Sequence, residues 1–153
     1  MWLLLCLALI VLDQIAKWAT VEWVAPVGSI PLIENVFHLS YVQNTGVAFG
    51  MLQGRFWLFT IVVVLATIGI LWYFFAKTTA DQKWMRLSLV MILAGALGNY
   101  IDRIFRGFVV DTFDFRWIGF WVFNLADTWI TIGCVLLLLY VLLVADRPKE
   151  GIQ

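Results

Sequence analysis

The chain has 153 residues, of which 63% are hydrophobic and only 13% are charged. Soluble domains average about 45–50% apolar and about 25% charged residues, so a soluble fold of this length cannot bury so much apolar surface. Lysine and arginine together number 10 and so do aspartate and glutamate, and this zero net charge gives no sign of a nucleic-acid partner.

Four apolar runs are each long enough to cross a bilayer, which takes about 20 residues in a helix. In chain order they cover residues 2–20, 56–76, 87–105 and 120–144. The first run carries Asp13 and Lys17 and lacks a basic leader, so we interpret it as a retained helix and not as a cleaved signal peptide. The sequence therefore predicts an all-α membrane protein, a single domain over residues 1–153 with four transmembrane helices.

The loop between the first two runs, residues 21–55, is too long for a simple connector. Its segment 36–42 alternates apolar and polar side chains, as a half-buried strand does. The loop is also rich in aromatic residues, which favour the membrane interface. We expect it to form a small β-rich platform on the extracytoplasmic side, with the single histidine, His38, at the interface.

Basic residues in the loops indicate the orientation. Five lie on one side, in the connection between the second and third runs and in the tail: Lys77, Lys83, Arg86, Arg147 and Lys149. The opposite loops hold three: Arg55, Arg106 and Arg116. Because cytoplasmic loops carry the excess of lysine and arginine, this bias predicts that both termini face the cytoplasm.

Polar residues within the runs are unusual, because a charge at the centre of a spanning helix costs about 2.5–3.5 kcal/mol on insertion scales. Here they lie near the end of the first run, at the end of the third, at the start of the fourth and in the adjoining loops: Asp13, Lys17, Asn44, Asn99, Asp102, Arg103, Asp111, Asn124 and Asp127. Successive runs cross in opposite directions, so all these positions reach the same membrane surface. The sequence predicts one polar site at the outer surface.

Some of these residues have partners within the sequence. Asp13 and Lys17 are four residues apart and share a helix face, so we interpret them as a structural pair. Asp102 is followed by Arg103, which suits a structural pair as well as a functional carboxylate. Asp127, about two turns into the fourth run, has no basic residue within a turn, and a desolvated carboxylate without a partner acquires the raised pKa that a general acid requires.

A second carboxylate belongs near Asp127. Asp111 lies between apolar residues in the short loop that joins the third and fourth runs, which brings it to the same rim. Two converging carboxylates share one proton, and such a pair supports aspartic-protease chemistry. The spacing alone leaves Asp111 and Asp114 as equal alternatives. A triad is disfavoured because no serine or cysteine is placed to partner His38, and a metal site would need more histidine or cysteine ligands.

Two other residue sets point to structure. Cys6 and Cys134 lie in apolar runs without a second cysteine or histidine nearby, so we expect buried thiols. Ala94 and Gly98 have the small-xxx-small spacing that lets helices approach closely. The alternative function, a small proton-coupled transporter or channel subunit, would place polar groups through the whole membrane depth. The cytoplasmic halves of the second and fourth runs are purely apolar, which disfavours it, and a structural or assembly subunit would have no need of Asp127.

Five segments, in order, resemble those of the bacterial lipoprotein signal peptidases (signal peptidase II), and the resemblance extends over nearly the whole chain. They are DQIAK at 13–17, NTGVAF at 44–49, GNYIDR at 98–103, VVD at 109–111 and FNLAD at 123–127. Each segment is weakly specific alone, and the five in this order on four spans are highly specific. The resemblance implies an intramembrane aspartyl endopeptidase of the bacterial cytoplasmic (inner) membrane that uses no cofactor and no metal.

The resemblance also implies a substrate and a role for each polar residue. The substrate would be a prolipoprotein, cut just before its diacylglyceryl-modified cysteine, within the membrane lipids; globomycin-type inhibitors would bind at the same site. The catalytic pair falls on Asp111 and Asp127. Substrate-binding positions are Asn44, Gly46, Asn99, Arg103 and Asn124, and supporting positions are Asp13, Lys17 and Asp102. The loop with Asn44 would be the family's β-cradle. Thr112 stands where the family commonly has phenylalanine, so Asp114 stays the alternative member of the pair.

Overall fold

The computed structural model of the protein describes residues 1–46 and 56–145. The VAF part of the NTGVAF segment, Arg55, Arg147 and Lys149 lie outside these residues. Four helices are described: α1 (Trp2–Ala19), α2 (Phe56–Ala76), α3 (Lys83–Arg106) and α4 (Leu125–Tyr140). Within the described part of the chain, four helical stretches are long and apolar enough to cross a membrane, which confirms the predicted fold class.

Helix α3 is the centre of the bundle, and the other helices pack around it. In its most apolar window, 56% of the residues are buried, compared with 6% in α2. Helix α3 also begins at Lys83, earlier than the predicted residue 87, so Arg86 belongs to the helix and not to the preceding connection. At the other end, Gly107 adopts a left-handed φ of 80°, which ends the helix and turns the chain into the next strand.

Small residues allow the central helices to approach closely. A Cβ added to Gly98 would lie 2.7 Å from the Asp13 carboxylate oxygen, and one added to Gly95 would collide with the Ala126 carbonyl oxygen of α4. Ala94, one residue before Gly95, is fully buried. The small residues of α3 therefore serve packing, as their spacing predicts, and they bring α1 and α4 against the same part of α3.

A three-stranded antiparallel sheet accompanies the helices, in the order β1-β2-β3. Its strands are β1 (Ser29–Ile33), β2 (Phe37–Asn44) and β3 (Val109–Phe115). The predicted platform is confirmed as β-rich, and the predicted strand corresponds to β2. The segment with Asp111, predicted as a loop, is strand β3, because it pairs with β2 and so satisfies its backbone N–H and C=O groups.

Helix α4 begins at Leu125 and not at the predicted residue 120, because Asn124 caps its N-terminus. Asn124 Oδ1 accepts from the Asp127 N–H, and an Asp127 carboxylate oxygen accepts from the Asn124 N–H, which forms a capping box. Asp127 therefore lies in the first helical turn and not two turns into the span. The first helix, α1, continues beyond Ala19 in a π-helical turn, Thr20–Val24.

One further expectation is wrong: Cys134 is exposed on the outside of the bundle, whereas Cys6 is buried as predicted. His38 is buried within the sheet, with Nδ1 3.2 Å from the Ser29 hydroxyl, and its place at the membrane interface stays a prediction. Its position follows from the register, which pairs His38 with Asp114 on one face of the sheet.

Candidate active site

Helix α1 contributes a fully buried ion pair. Lys17 Nζ lies 2.8 Å from an Asp13 carboxylate oxygen, as the spacing of four residues predicts. The other oxygen of Asp13 accepts the Ala126 N–H of α4 at 2.9 Å. Gln14, which the sequence did not single out, donates to Asp13 at 3.2 Å and to the Gly98 carbonyl at 3.1 Å. Asp13 therefore ties α1 to the first turn of α4, at the residue directly before Asp127.

Asp102 of α3 has other partners than the predicted Arg103. Its carboxylate lies 3.4 Å from Lys17 Nζ and 3.5 Å from an Arg106 nitrogen. It also accepts the Val110 N–H at 3.0 Å, so it holds strand β3 next to Asp111. Arg103 points elsewhere because consecutive residues of a helix do not share a face. The carboxylate of Asp102 thus has a supporting place in the structure.

Asp111 lies on β3 among amide groups. The Asn124 Nδ2 donates to Asp111 Oδ1 at 2.7 Å, and the Asn44 Nδ2 donates to Asp111 Oδ2 at 3.0 Å. Gly46 fixes the orientation of Asn44, because its N–H donates to Asn44 Oδ1 at 3.1 Å. The Nδ2 group of Asn44 must then face the carboxylate. Gly46 is therefore placed to orient Asn44.

Asp127 receives its hydrogen bonds from two directions. The Asn99 Nδ2 donates to Asp127 Oδ1 at 2.7 Å, and the Asn124 main-chain N–H donates to Oδ2 at 3.2 Å. Asn99 in turn is oriented by Lys17, whose ammonium group donates to Asn99 Oδ1 at 2.9 Å. An ammonium group has no acceptor, so the oxygen of Asn99 must face Lys17 and its nitrogen must face Asp127.

Asn124 joins the two carboxylates into one network. Its Nδ2 donates to Asp111 and, at 3.1 Å, to Asn99 Oδ1, while its Oδ1 accepts the Asp127 N–H. Asp111 and Asp127 are thereby linked through Asn124 and Asn99. The structure brings together every predicted site residue of this group, from four different elements: Asn44 of β2, Asn99 of α3, Asp111 of β3, and Asn124 with Asp127 at the start of α4.

The surroundings of Asp111 favour its protonated form. Burial and, to a lesser extent, the nearby charge of Asp127 raise the pKa of Asp111, the hydrogen bonds from Asn44 and Asn124 lower it, and the net result is a pKa of about 6. A carboxyl with such a pKa holds or releases a proton near neutral pH. Two interacting carboxyl groups of this kind can share one proton between them.

Arg103 is the positive charge beside this network. It interacts electrostatically with both Asp111 and Asp127, and its side chain donates to the Asn99 carbonyl at 3.1 Å. The guanidinium lies 4.4 Å from the centre of the Phe59 ring of α2, a cation–π contact. Arg103 is thus positioned at the edge of the site, half-buried, between the carboxylates and the peripheral helix.

Asp114, the alternative left open by the spacing, lies on the other face of the sheet. Its carboxylate accepts from Arg116 Nε and from the Ser40 hydroxyl, each at 2.8 Å. Burial acts to raise the pKa of Asp114, but the hydrogen bonds from Arg116 and Ser40 outweigh it and hold the pKa below its ordinary value. Asp114 is therefore a paired carboxylate, separate from the network of Asp111 and Asp127.

The hydrogen-bond donors around the two carboxylates favour a shared proton over a bound metal ion. Amide N–H groups point at both Asp111 and Asp127, and such donors take the positions that a cation would need. Within residues 1–46 and 56–145, the structure shows no group of three histidine, cysteine or acidic side chains that would hold a metal ion.

Comparison with known proteins identifies relatives over nearly the whole length. The family model described as signal peptidase (SPase) II matches residues 5–143. A protein of Clostridioides difficile named lipoprotein signal peptidase is 45% identical over 149 residues, which cover 97% of this chain and 99% of that protein. A protein of Halothermothrix orenii with the same name is 47% identical over 135 residues, covering 88% of this chain and 90% of that protein.

Solved structures are similar in fold. A structure described as "Bacterial membrane enzyme structure by the in meso method at 2.3 A resolution" superposes with a TM-score of 0.86 and 29% sequence identity. The match covers 98% of this chain and 92% of that chain. A second structure of the same description, at 1.9 A resolution, gives a TM-score of 0.83 and covers 95% of this chain.

Proposed function

Because the chain belongs to the signal peptidase II family, we propose that it removes signal peptides from prolipoproteins with Asp111 and Asp127 as its catalytic pair. The observation that carries this assignment is the amide network that joins the two carboxylates. Asn124 contacts both aspartates, and Asn99 links Asp127 to Lys17. Asp114, by contrast, is neutralised by Arg116 and lies outside the network.

The chemistry follows from one proton shared by two carboxyl groups. The ionised carboxylate accepts a proton from water as the water oxygen attacks the scissile carbonyl carbon. The protonated carboxyl donates a hydrogen bond to the carbonyl oxygen and stabilises the charge that develops there. In the second step a proton passes to the departing amine nitrogen and the C–N bond breaks. The pair ends with one proton, as it began.

The surrounding residues have supporting roles in this proposal. Asn44 of β2, oriented by the Gly46 N–H, donates a hydrogen bond to Asp111 Oδ2. In this proposal, the incoming peptide enters the site beside this strand. Asn99 and Asn124 hold the carboxylates in place, and Arg103 provides a positive charge for the substrate or the transition state. Asp13, Lys17 and Asp102 fix the elements that carry these groups.

The substrate is a prolipoprotein cut before its diacylglyceryl-modified cysteine, and a globomycin-type inhibitor would compete for the same space. The protein lies in the bacterial inner membrane, among its lipids, with both termini in the cytoplasm and the site at the extracytoplasmic surface. The position of the polar groups supports this arrangement, since Asp13, Lys17, Asn99 and Asp127 all lie toward the helix ends on the side of the sheet. Cleavage of the lipidated precursor there releases the signal peptide into the bilayer.

The test compares single aspartate variants in one assay. Asp111→Asn and Asp127→Asn should each lower kcat on a lipidated precursor by about 1,000-fold or more, because asparagine can neither accept the proton of water nor deliver one. Substrate binding and thermal stability should persist. The double variant should be hardly slower than either single variant, because the two residues act as a unit.

Asp114→Asn is the matched control, since it makes the same chemical change on the same strand. It should retain substantial activity, because the Asp114 carboxylate faces Arg116 and Ser40. An inactive Asp114→Asn together with an active Asp111→Asn would transfer the role to Asp114. Activity in all three single variants would show that the protein is not an aspartyl peptidase.

A further inference from the structure

Thr20 and Thr112 form a buried contact that the proposed chemistry leaves unused. Their Oγ1 atoms lie 2.8 Å apart, and the two residues expose only 3% and 6% of their surface. Thr20 Oγ1 also lies 2.9 Å from the Ala16 carbonyl oxygen, which can only accept. Each hydroxyl has one hydrogen, so Thr20 donates to Ala16 and Thr112 must donate to Thr20. The hydrogen bond between the two threonines therefore has a fixed direction: Thr112 of β3 is the donor and Thr20, at the end of α1, is the acceptor.

Thr112 immediately follows Asp111, and neighbouring residues of a strand point to opposite faces. Asp111 faces the amide groups of Asn44 and Asn124, whereas the Thr112 side chain faces α1. The Thr112 main-chain N–H donates to the Phe123 carbonyl at 2.9 Å, in the segment that leads into α4. Thr112 thus connects the strand of Asp111 with both neighbouring elements.

In the described part of the sheet, Thr112 lacks the pairing with β2 that its neighbours Asp111 and Phe113 have. Strand β2 pairs Leu39 with Phe113 and Val42 with Asp111, and the register is irregular between these pairs. Within the described strands, the register therefore gives Thr112 no partner in β2. The regular ladder of hydrogen bonds is interrupted at such an irregularity. The hydroxyl contact with Thr20 adds a fixed point directly beside Asp111, in addition to the main-chain bond from Thr112 to Phe123.

The same face of α1 holds the other half of the site. Asp13, Lys17 and Thr20 are spaced by four and then three residues, so they form one stripe along the helix. Asp13 holds the Ala126 N–H at the start of α4, and Lys17 contacts Asn99 and Asp102 of α3. Thr20 holds β3. One helix face thus contacts α4, α3 and β3, three of the four elements that carry the aspartates and their amide partners.

We propose that Thr20 and Thr112 are positioning residues that hold the Asp111 carboxylate at its working separation from Asp127. The proposal rests on the proposed function, because it presupposes that these two aspartates form the catalytic pair. Through Asp13 and Thr20, the rigid helix α1 sets the distance between the start of α4 and strand β3. A displacement of about 1 Å at reacting groups lowers rates by about 100-fold, so loss of one such contact is measurable.

The test removes the hydroxyl and keeps the shape. Thr112→Val and Thr20→Val should each lower kcat per folded molecule by about 10- to 100-fold, while KM for a lipidated precursor changes little. Thr112→Ser keeps the hydroxyl and should restore most of kcat. The bell-shaped pH dependence of kcat should become narrower in the valine variants, because carboxyl groups that move apart interact less and their two apparent pKa values converge.

Ser88→Ala is the control, since it removes a buried hydroxyl that donates to the Trp84 carbonyl, near the other end of α3. It should leave kcat and the pH profile unchanged. Valine variants with wild-type kcat per folded molecule, or with only a lower folded yield, would overturn the positioning role. Asp111→Asn and Asp127→Asn belong in the same assay. If they are inactive while the valine variants keep wild-type kcat, the positioning role is wrong and the proposed function stands. If the two asparagine variants are active, both proposals fail.

Discussion

Asp111 is buried in a position that favours a neutral carboxyl group. Its pKa of about 6 lies above the ordinary value of 3.8, chiefly because burial disfavours the charge. A carboxyl whose pKa is raised on folding stabilises the protein most below its ordinary pKa, and this stabilisation is lost as the pH rises through the folded value. The free energy of unfolding should therefore fall by up to about 3 kcal/mol between about pH 4 and pH 6.

Asp111→Asn should remove this dependence and raise the Tm in detergent micelles by several degrees above pH 7, because a neutral amide needs no proton. Asp114→Asn is the control with the opposite sign. The pKa of Asp114 is lowered by Arg116 and Ser40, so its carboxylate stabilises the protein at neutral pH, and its loss should lower the Tm there. Thermal unfolding followed by circular dichroism from pH 4 to pH 8 measures both. An Asp111→Asn variant with the wild-type slope would contradict the argument.

Asp111 and Asp114 also show what spacing does and does not reveal. Residues three apart lie on one side of a helix but on opposite faces of a strand, so the distinction requires the local structure. Asp13 and Lys17 were predictable as a pair, since the apolar run around them is unambiguously helical. The contacts of Thr20 with Thr112 and of Asp102 with Lys17 join distant parts of the chain, and no local pattern indicates them.

Helices α3 and α4 touch through glycine, and this close contact sets the position of the turn that carries Asp127. A Cβ on Gly95 would collide with the Ala126 carbonyl oxygen and lie 2.7 Å from the Ile130 side chain. Gly95→Ala should therefore force the helices apart, lower the free energy of unfolding by about 1–3 kcal/mol and reduce kcat, because Asp127 follows Ala126 directly. Thermal unfolding and cleavage of a lipidated precursor measure the two effects.

Gly69→Ala provides the comparison, because a Cβ there meets nothing within 4 Å. In α2 alanine should be neutral or stabilise by about 0.4–1 kcal/mol, since it restricts the unfolded chain. Equal losses of stability and kcat in both variants would mean that the Gly95 contact has no special role and that glycine at either position matters only for insertion of the helix into the membrane.

Strand β3 and the start of α4 both differ from the sequence-based prediction, for different reasons. The VVDTFDF segment is short, lies between two apolar runs and becomes a strand only through pairing with β2. Residues 120–123 continue the apolar run that leads into α4, yet Phe123 pairs with Phe113 and the helix begins after Asn124. Recognising Asn124 and Asp127 as a capping box would have given the correct start, since the pattern is local.

Hydropathy predicts the four spans and also which of them is the central helix. The mean hydropathy of the spans is 2.4 for α2, 2.1 for α4, 1.8 for α1 and 1.3 for α3, and the buried share rises in the same order, from 6% to 11%, 22% and 56%. Lipid solvates apolar side chains, so the most apolar helix can remain outside, whereas polar groups must find partners within the bundle. The ranking indicates α3 as the central helix, but it does not indicate which helices contact one another.

The orientation of the whole molecule is the remaining prediction, and the loop charges support it. Lys77, Lys83 and Arg86 lie where α2 turns into α3, so this turn should face the cytoplasm and the sheet should face outward. In a background with Cys6 and Cys134 replaced by alanine, one new cysteine in place of Glu34 and one in place of Thr79 report the two sides. Both positions are exposed, in the β1–β2 turn and the α2–α3 turn.

A membrane-impermeant maleimide should label Glu34→Cys in intact cells, whereas Thr79→Cys should react only after the membrane is permeabilised. The reason is electrostatic, because moving the basic α2–α3 turn across the membrane is disfavoured during insertion. Since the four spans alternate in direction, the side of this turn fixes the orientation of every span. The Cys-free background controls for labelling of other groups. Labelling of Thr79→Cys from outside, with Glu34→Cys protected, would invert the molecule and put Asp111 and Asp127 on the cytoplasmic side. A substrate exported before processing would then not reach them.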